Sequence, residues 1–379
     1  RSKMNSSYST MAWNSIRYDA NGRVAPCCQF RGQQQNIFNL NADEYFASDW
    51  LKDIKQKMLA GIKVSGCGRC YEQEAASGES MRTRRAHLPI DELHEIHLTY
   101  SNICNKACNI CRPYRSHLIG KEYKRIKNKF PESPWINAKY KLRQNRRLAQ
   151  GKVKFDGLNI DMLHNLKPYA HQVKVLALSG GEPFMHPKEL NIILDWFIEH
   201  GHEDLKVSIT SNGSWTQEYI DKLKNFKNVE LIISIDGIKD LYPVVRPPHS
   251  WQWFEQQEQL LEQTNFTRRH EAVMHVFNVH QLPDIVRYFK DKGKVFLAPL
   301  SQQEYLGAHL VPESVILESA KELRQIGHGG AASYLTFQND RTDTKNDREM
   351  FFEFVKVNSA IKNIDYQSVI PWQFDLIQS

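Results

Sequence analysis

Between residues 95 and 299 the sequence alternates between strand-like and helical patterns, and this constrains the fold more than any other feature. Strand-like runs occupy residues 95–101, 173–179, 206–211, 229–235, 271–278 and 294–299. Helical patterns separate them, notably at residues 187–200, 217–226, 253–263 and 282–290. Alternation of this kind predicts an α/β protein with a parallel sheet and crossover helices.

All the cysteines lie in the first third of the chain. They are Cys27, Cys28, Cys67, Cys70, Cys104, Cys108 and Cys111. Their odd number argues against a disulfide scaffold, and a 379-residue chain has enough core without covalent links. The pattern Cys67-Gly-Arg-Cys70 has the spacing of a zinc site. Zinc accounts poorly for the three cysteines at positions 104–111.

Those three cysteines form a C-x3-C-x2-C pattern directly after the first strand-like run. They are therefore predicted to lie on the loop that leaves this strand. Three thiolates from one short loop can hold three irons of a four-iron cluster and leave the fourth iron open to a small molecule.

A second pattern is an apolar run, 173–179, that continues into Gly180-Gly181-Glu182-Pro183. Together the two patterns resemble the radical S-adenosylmethionine (SAM) superfamily over about residues 95–300. In that family the open iron chelates SAM, and reductive cleavage gives a 5′-deoxyadenosyl radical that abstracts a substrate hydrogen. The glycines let a backbone approach a ligand, and Glu182 can accept from the methionine ammonium group. The resemblance implies cofactor contacts at Ser179, Gly180, Gly181 and Glu182.

Two later strand-like runs end in small polar residues. By the same resemblance, Ser211, Asn212, Ser234 and Arg246 would face the ribose or carboxylate of SAM. Asn-Gly and Asp-Gly are also common turns, so these roles stay open. Six strand–helix repeats fit the partial (β/α)6 TIM-type barrel that the resemblance implies, with the site at the carboxyl ends of the strands.

The amino-terminal third suggests a second cluster. Asp19-Ala-Asn-Gly22 predicts a hairpin turn. Gly22 precedes Cys27 by five residues, which resembles the G-x4-C half of twitch and SPASM domains, carriers of auxiliary [4Fe-4S] clusters. The cysteine usually found 9 to 15 residues before that glycine is missing, and the window holds Ser7 and Ser9 instead.

The auxiliary cluster is therefore expected on Cys27, Cys28, Cys67 and Cys70, or on three of them with one open iron. Adjacent cysteines share a cluster only with strain, which makes Cys28 the weakest candidate. If all four bind iron, a net oxidation is favoured and the enzyme is oxidoreductase-like. A free Cys28 can return a hydrogen atom to a substrate radical, which allows an epimerase- or mutase-like reaction.

Residues 112–155 hold fourteen Lys and Arg against two Glu, within a chain whose net charge is +7. The rest of the chain is therefore net acidic. Tyr123, Trp135 and Tyr140 are interleaved with the basic residues, as in proteins that hold single-stranded nucleic acid. A solvated helix pair, or a site for an anionic small molecule or an acidic peptide, accounts for the segment equally simply.

We expect a twitch-like domain at 1–90, the barrel at 91–300 with a basic insertion at 112–155, and an extension over the barrel at 301–379. The family implies a reductant such as flavodoxin or ferredoxin. No run approaches the ~20 apolar residues of a membrane helix, and residues 1–15 lack the apolar core of a signal peptide. These features predict a cytoplasmic protein with no membrane partner.

Three function classes remain in view. The first is a radical SAM enzyme, acting on a peptide, an anionic small molecule or a nucleic acid. The second is a non-catalytic iron–sulfur electron carrier or sensor. The third is a zinc-stabilised nucleic-acid-binding protein. The Gly180–Pro183 pattern favours the first class, because neither of the others needs it.

Overall fold

The structure is a computed structural model that describes residues 7–19, 23–31, 35–36, 41–99, 101–136, 160–300, 303–341, 345–372 and 374. Its strands are β1 (Ser15–Asp19), β2 (Arg23–Ala25), β3 (Gln35–Asn36), β4 (Glu95–Thr99), β5 (Val175–Ser179), β6 (Lys206–Ser211), β7 (Asn228–Ser234), β8 (Thr267–Met274) and β9 (Lys294–Pro299). Its helices are α1 (Met11–Asn14), α2 (Ala42–Ala47), α3 (Asp49–Leu59), α4 (Gly68–Ser77), α5 (Met81–Arg84), α6 (His117–Lys129), α7 (Pro187–His200), α8 (Gln217–Leu223), α9 (Leu241–Val245), α10 (Trp251–Gln259), α11 (Leu282–Phe289), α12 (Glu313–Gln325), α13 (Gly329–Asn339) and α14 (Lys345–Lys362).

The strands form a mostly parallel sheet in the order β3-β2-β1-β4-β5-β6-β7-β8-β9, which is not closed. Parallel pairing joins β1 to β4, β4 to β5, β5 to β6, and β8 to β9. Antiparallel pairing joins β1 to β2 and β2 to β3. The predicted α/β class with a partial barrel-type sheet is confirmed, and β1 extends that sheet beyond the first predicted strand.

Residues alternate along β1, β4, β5 and β6, so each strand has an apolar and a polar face. The apolar row is fully buried and pairs Ile16, Ile96, Leu176 and Val207 across the four strands. The row one residue later is mostly polar and pairs Arg17, His97, Ala177 and Ser208. The sequence pattern therefore sets both the strand type and its register.

Helix α7 shows how local sequence sets the bounds of an element. Pro187 occupies the first turn, where its missing N–H costs nothing, and Glu189 follows near the positive end of the helix dipole. The helix ends at His200, and Gly201 follows in an extended conformation. The observed bounds are those predicted from the helical pattern at 187–200.

The chain divides into two compact units. The first comprises Arg1–Asn102, Phe155–Ser211 and Trp215–Leu231, and the second comprises Ile103–Lys154, Asn212–Ser214 and Ile232–Ser379. Their boundaries differ from the predicted boundaries near residues 90 and 300, and the three-part division stays a prediction. The predicted hairpin has its two strands, β1 and β2, while turn residues 20–22 lie outside the described residues.

The carboxyl-terminal part contains the helices α12, α13 and α14. Gly327 has φ +85°, a left-handed conformation that favours glycine, and it separates α12 from α13. Among the described residues, no helix is both long and apolar enough to span a membrane.

Candidate functional site

The loop that leaves β4 carries the three clustered cysteines. Cys104 and Cys108 are buried and Cys111 is half-buried. The Cys111 backbone N–H donates to the Cys108 carbonyl at 3.0 Å, so the last two cysteines share one tight turn. Burial, and next the charge of Cys108, raise the pKa of Cys111 to about 11. Thiols in this setting are held protonated unless a metal takes the place of the proton.

The Cys104 thiol is contacted by two nitrogen donors of the second unit. The Lys106 backbone N–H lies 3.4 Å and the Asn212 side-chain nitrogen 3.6 Å from Cys104 Sγ. Asn212 also donates to Asn105 Oδ1 at 3.0 Å, and Ser214 donates to Asn212 Oδ1 at 2.6 Å. Donors of this kind stabilise a thiolate that ligates iron.

The carboxyl-terminal extension also holds this loop, a feature that the sequence analysis missed. Lys362 donates from Nζ to the Ala107 carbonyl at 2.8 Å. Tyr366 donates from its hydroxyl to Asn109 Oδ1 at 3.1 Å. No local pattern marks these two residues, because they lie some 250 positions from the loop in the sequence.

In the first unit, Ser101 joins the carboxyl ends of β4 and β5. Its carbonyl accepts from the Gly181 N–H at 2.8 Å. Gly180 has φ +152°, and a Cβ there would lie 2.7 Å from the same carbonyl. The missing side chain of Gly180 therefore makes room for the Ser101 carbonyl, a packing role that the sequence analysis did not foresee. Its role as a cofactor contact stays a prediction.

Glu182 is almost fully buried behind this turn. Its Oε1 accepts from Ser211 Oγ at 2.8 Å and from the Phe184 backbone N–H at 3.3 Å. Glu182 therefore caps the short 3-10 turn Pro183–Met185 and bonds the last residue of β6. Two predicted cofactor residues, Glu182 and Ser211, are thus brought into direct contact.

A Ser–His–Glu hydrogen-bonded chain, in which the serine and the histidine are buried, supports the same turn. Ser101 Oγ pairs with His186 Nε2, and His186 Nδ1 lies 3.4 Å from Glu189 Oε2. The sequence analysis missed it, because a histidine after a Gly-Gly-Glu-Pro pattern has no distinctive local signal. These three hydrogen-bonded side chains connect the end of β4 to the start of α7.

A sequence model of the Radical SAM superfamily matches residues 98–289, just over half of the chain. This chain belongs to the radical SAM superfamily. Membership implies an enzyme with a [4Fe-4S] cluster and SAM. No curated protein matches the chain.

Several solved structures are similar to this radical SAM chain. The structure of anSMEcpe with bound AdoMet is 16% identical, with 65% of this chain and 62% of that chain covered and a TM-score of 0.43. Streptococcus suis SuiB bound to precursor peptide SuiA is 13% identical, with 84% and 62% covered and a TM-score of 0.36. TYW1 with a lysine-pyruvate adduct is 14% identical, with 73% and 89% covered and a TM-score of 0.32. The chain thus spans less than two thirds of the length of the first two.

The remaining predicted contacts of the radical SAM site have these positions. Ser179 Oγ lies 2.7 Å from His97 Nε2 and 3.0 Å from Thr99 Oγ1. Ser234 is half-buried as the last residue of β7. Arg246 is buried at the end of α9 and forms an ion pair with Asp236.

The amino-terminal cysteines surround a recess in the first unit. It has an empty volume of about 260 Å³, part of it open to solvent, and is lined by Ser9, Met11, Cys27, Gln29, Phe30, Cys67, Cys70, Met81 and Arg82. Close packing of Phe30 against Gly66 brings the two cysteine segments together. A Cβ on Gly66 would lie 2.3 Å from the Phe30 ring, and the Arg31 N–H donates to the Gly66 carbonyl at 2.9 Å.

Helix α4 orients the Cys67–Cys70 pair. Cys67 precedes its first residue and Cys70 lies in its first turn, where the helix dipole favours thiolates. Burial, and next the charge of Cys70, raise the pKa of Cys67 to about 12, while Arg82 opposes the shift. Cys28 lies beside the recess, with its Sγ 3.7 Å from Met81 Sδ.

In the part of the chain that the structure describes, no group of three or more His, Cys, Asp or Glu side chains is arranged to hold a single metal ion. In a four-iron cluster each ligating thiolate binds a different iron, so the ligands are spread over the corners of a larger body. The relevant fit is therefore the donor chemistry, which is thiol-rich at both cysteine sites.

The described part of the basic segment has a buried aromatic side. Tyr123 and Trp135 are 4% and 1% exposed, and their ring centroids lie 5.3 Å apart. Trp135 also packs edge-on against Phe354 of α14. These two rings therefore offer no exposed face on which a base could stack, and nucleic-acid binding by this segment stays a prediction. Tyr140 lies outside the described residues.

Proposed function

We propose that this radical SAM chain binds a [4Fe-4S] cluster through Cys104, Cys108 and Cys111 and acts on an anionic substrate. When bound, such a cluster supplies reductive cleavage of SAM to a 5′-deoxyadenosyl radical that abstracts a substrate hydrogen. The protein's part is to hold the thiolates, orient SAM and keep water away from the reacting atoms.

The observation that carries this proposal lies at the carboxyl end of β6. Ser211 donates to Glu182 of the Gly-Gly-Glu-Pro turn, and the next residue, Asn212, donates to Cys104 of the cysteine loop. Each of these two residues therefore contacts one sequence motif of the family within its own unit. A chain that used its cysteines only as an electron carrier has no need for the Gly-Gly-Glu-Pro turn.

Glu182 is the residue that we propose to bind the SAM ammonium group. A carboxylate has about four acceptor positions, so it can hold Ser211 and Phe184 and still accept from an ammonium group. Its burial strengthens the attraction, because a charged hydrogen bond in low dielectric is stronger than one in water. Ser179, Gly180, Gly181, Asn212, Ser234 and Arg246 stay predicted cofactor contacts.

We further propose an auxiliary [4Fe-4S] cluster in the recess of the first unit. Cys27, Cys67 and Cys70 line this recess, and the donor set and the apolar lining both suit iron–sulfur ligation. Cys28 is the fourth candidate ligand or, if it stays free, a hydrogen donor to the substrate.

The proposed substrate is a peptide or a small molecule with negative charge. Four basic residues are exposed on α6, namely Lys121, Arg125, Lys127 and Lys129. The two rings that α6 and the following turn bury, Tyr123 and Trp135, are not available for base stacking, which favours an acidic peptide or anionic small molecule over single-stranded nucleic acid. A one-electron donor of the flavodoxin or ferredoxin class would supply the reducing electron.

The test is SAM cleavage by anaerobically reconstituted, reduced protein, followed as 5′-deoxyadenosine. We expect the wild-type protein to form it, and Glu182→Gln to bind SAM at least about tenfold more weakly, or about 1.4 kcal/mol. Glu199→Gln, on the exposed side of α7, is the matched control and should behave as wild type. Iron-loaded protein that leaves SAM intact would favour the electron-carrier class. Colourless protein with bound zinc would favour the zinc class.

A further inference from the structure

Arg246 is a buried, permanently charged residue in the second unit. Its side chain is 8% exposed and its Nη1 donates to the carboxylate of Asp236, which is 2% exposed. In the part of the chain that the structure describes, its buried Nε–H has no hydrogen-bond partner. Because arginine keeps its charge in proteins, a cation is present at this position at every physiological pH.

The backbone places Arg246 opposite Cys108. The Ala107 N–H donates to the Pro247 carbonyl at 2.9 Å, and the Asn109 N–H donates to the Val245 carbonyl at 3.0 Å. These two bonds lie on either side of the pair formed by Cys108 and Arg246. The chain after α9 therefore runs directly against the middle of the cysteine loop.

Asp236 is held independently of Arg246. Its Oδ1 accepts from the Val273 backbone N–H of β8 at 3.0 Å, and its carbonyl accepts from Asn278 Nδ2 at 3.0 Å. The carboxylate therefore orients Arg246 from a rigid strand end.

The electrostatics agree with this geometry. Burial opposes the charge of Arg246, but the negative charge of Cys108 and next that of Asp236 outweigh it and raise its pKa. A cation beside a ligating thiolate favours addition of an electron to the cluster, because it offsets the added negative charge. A carboxylate on the other side of the cation reduces this effect.

We propose that Arg246 is a positioning residue that raises the reduction potential of the cluster on Cys104, Cys108 and Cys111, and that Asp236 limits the rise. This rests on the proposed function, since it needs a cluster on Cys108. It differs from the sequence-based expectation, in which Arg246 faces the ribose or carboxylate of SAM.

The experiment is a redox titration of the reconstituted full chain without SAM, followed by electron paramagnetic resonance. The signal of the loop cluster is identified by its change when SAM is added afterwards. For Arg246→Gln we expect the ratio of reduced to oxidised cluster at a fixed potential to fall about tenfold. For a one-electron couple this corresponds to a reduction potential lower by about 59 mV. Asp236→Asn should shift the ratio in the opposite direction. Arg268→Gln removes a partly buried arginine that pairs with Glu258, and this control should match wild type.

The inference is overturned if Arg246→Gln titrates as wild type and instead binds SAM about tenfold more weakly. If Arg246→Gln loses its iron, the variants Arg246→Lys and Asp236→Asn are titrated in its place. The inference is supported if Arg246→Lys titrates as wild type and Asp236→Asn has a changed reduced-to-oxidised ratio. It is overturned if the ratio in Asp236→Asn is unchanged. Absence of iron from the wild-type chain would refute the proposed function, which is a separate result.

Discussion

The two cysteine sites of this chain are built in different ways. The Cys104–Cys111 site takes three thiols from one loop of eight residues, whereas the recess takes thiols from Cys27 and from Cys67 and Cys70, some forty residues apart. The first depends on the local backbone of one segment. The second depends on the packing of two segments through Phe30 and Gly66. For the local site the sequence predicts the cysteines and the loop that holds them, whereas for the assembled site it predicts the cysteines but not the contact that brings them together.

The charge around the two sites differs as well. The cysteine loop has Arg246 opposite Cys108, with one carboxylate, Asp236, behind it. At the recess the guanidinium of Arg82 is engaged by both oxygens of Glu74 and by the Tyr8 carbonyl. Each site thus has one arginine paired with one carboxylate, and the loop differs in that its arginine lies directly opposite a cysteine.

The largest expected effect comes from removing the local site. The triple variant Cys104→Ala, Cys108→Ala and Cys111→Ala should lower the iron content from about eight to about four per chain and abolish SAM cleavage. Anaerobic iron and sulfide analysis, with 5′-deoxyadenosine formation, checks this. The double variant Cys67→Ala and Cys70→Ala is the counterpart and should keep the irons of the loop. A fall from about four irons to none would show that the recess holds no cluster.

The second prediction separates packing from ligation at the recess. Gly66→Ala leaves every cysteine in place, but its Cβ would lie 2.3 Å from the buried Phe30 ring. We expect it to lose most of the recess irons while SAM binding is kept. Gly68→Ala is the matched control, since no atom lies within 4 Å of its Cβ. Replacing Phe30 by Leu in the Gly66→Ala background should restore iron. Full iron in Gly66→Ala would mean that the recess is not assembled by this contact.

The third prediction concerns the connection between β4 and the Gly-Gly-Glu-Pro turn. Gly180→Ala introduces a Cβ 2.7 Å from the Ser101 carbonyl, at a φ that disfavours alanine. We expect SAM to bind at least about tenfold more weakly with the iron content unchanged. Gly329→Ala, with open space around its Cβ, controls for loss of glycine. Unchanged SAM affinity would show that the carboxyl ends of β4 and β5 can move apart without weakening SAM binding.

The smallest expected effect is the pH dependence of the iron-free protein. The pKa of Cys111 is raised from 9.0 to about 11, and that of Cys67 to about 12, chiefly by burial. The fold thus favours the protonated thiols. Their contribution to the free energy of unfolding is therefore complete below pH 9, the pKa of a thiol in the unfolded chain, and is lost as the pH rises through 11 to 12. We expect the unfolding midpoint of iron-free protein to fall over this range, less so in Cys111→Ala. Iron-loaded protein should lack this part of the fall, because iron has replaced the proton.

Much of the fold could be predicted from sequence. The strand-like runs and the helix at 187–200 were located by apolar periodicity, which reflects which face of each element is buried. The added parallel strand β1 was not foreseen as part of the main sheet, because its pairing with β4 joins segments eighty residues apart. Periodicity indicates that a strand forms and does not indicate its neighbour.

The order of residues is enough to locate the reactive groups: three thiols on the loop after β4, a Gly-Gly-Glu-Pro turn after β5, and polar residues at the end of β6. Tertiary structure supplies what surrounds those groups. It assigned Gly180 to the Ser101 carbonyl, Arg246 to the space between Asp236 and Cys108, and Lys362 to the cysteine loop. The difference arises because backbone geometry relates residues that are neighbours in the sequence, whereas burial and charge act between residues that are distant in the sequence and meet only when the chain packs.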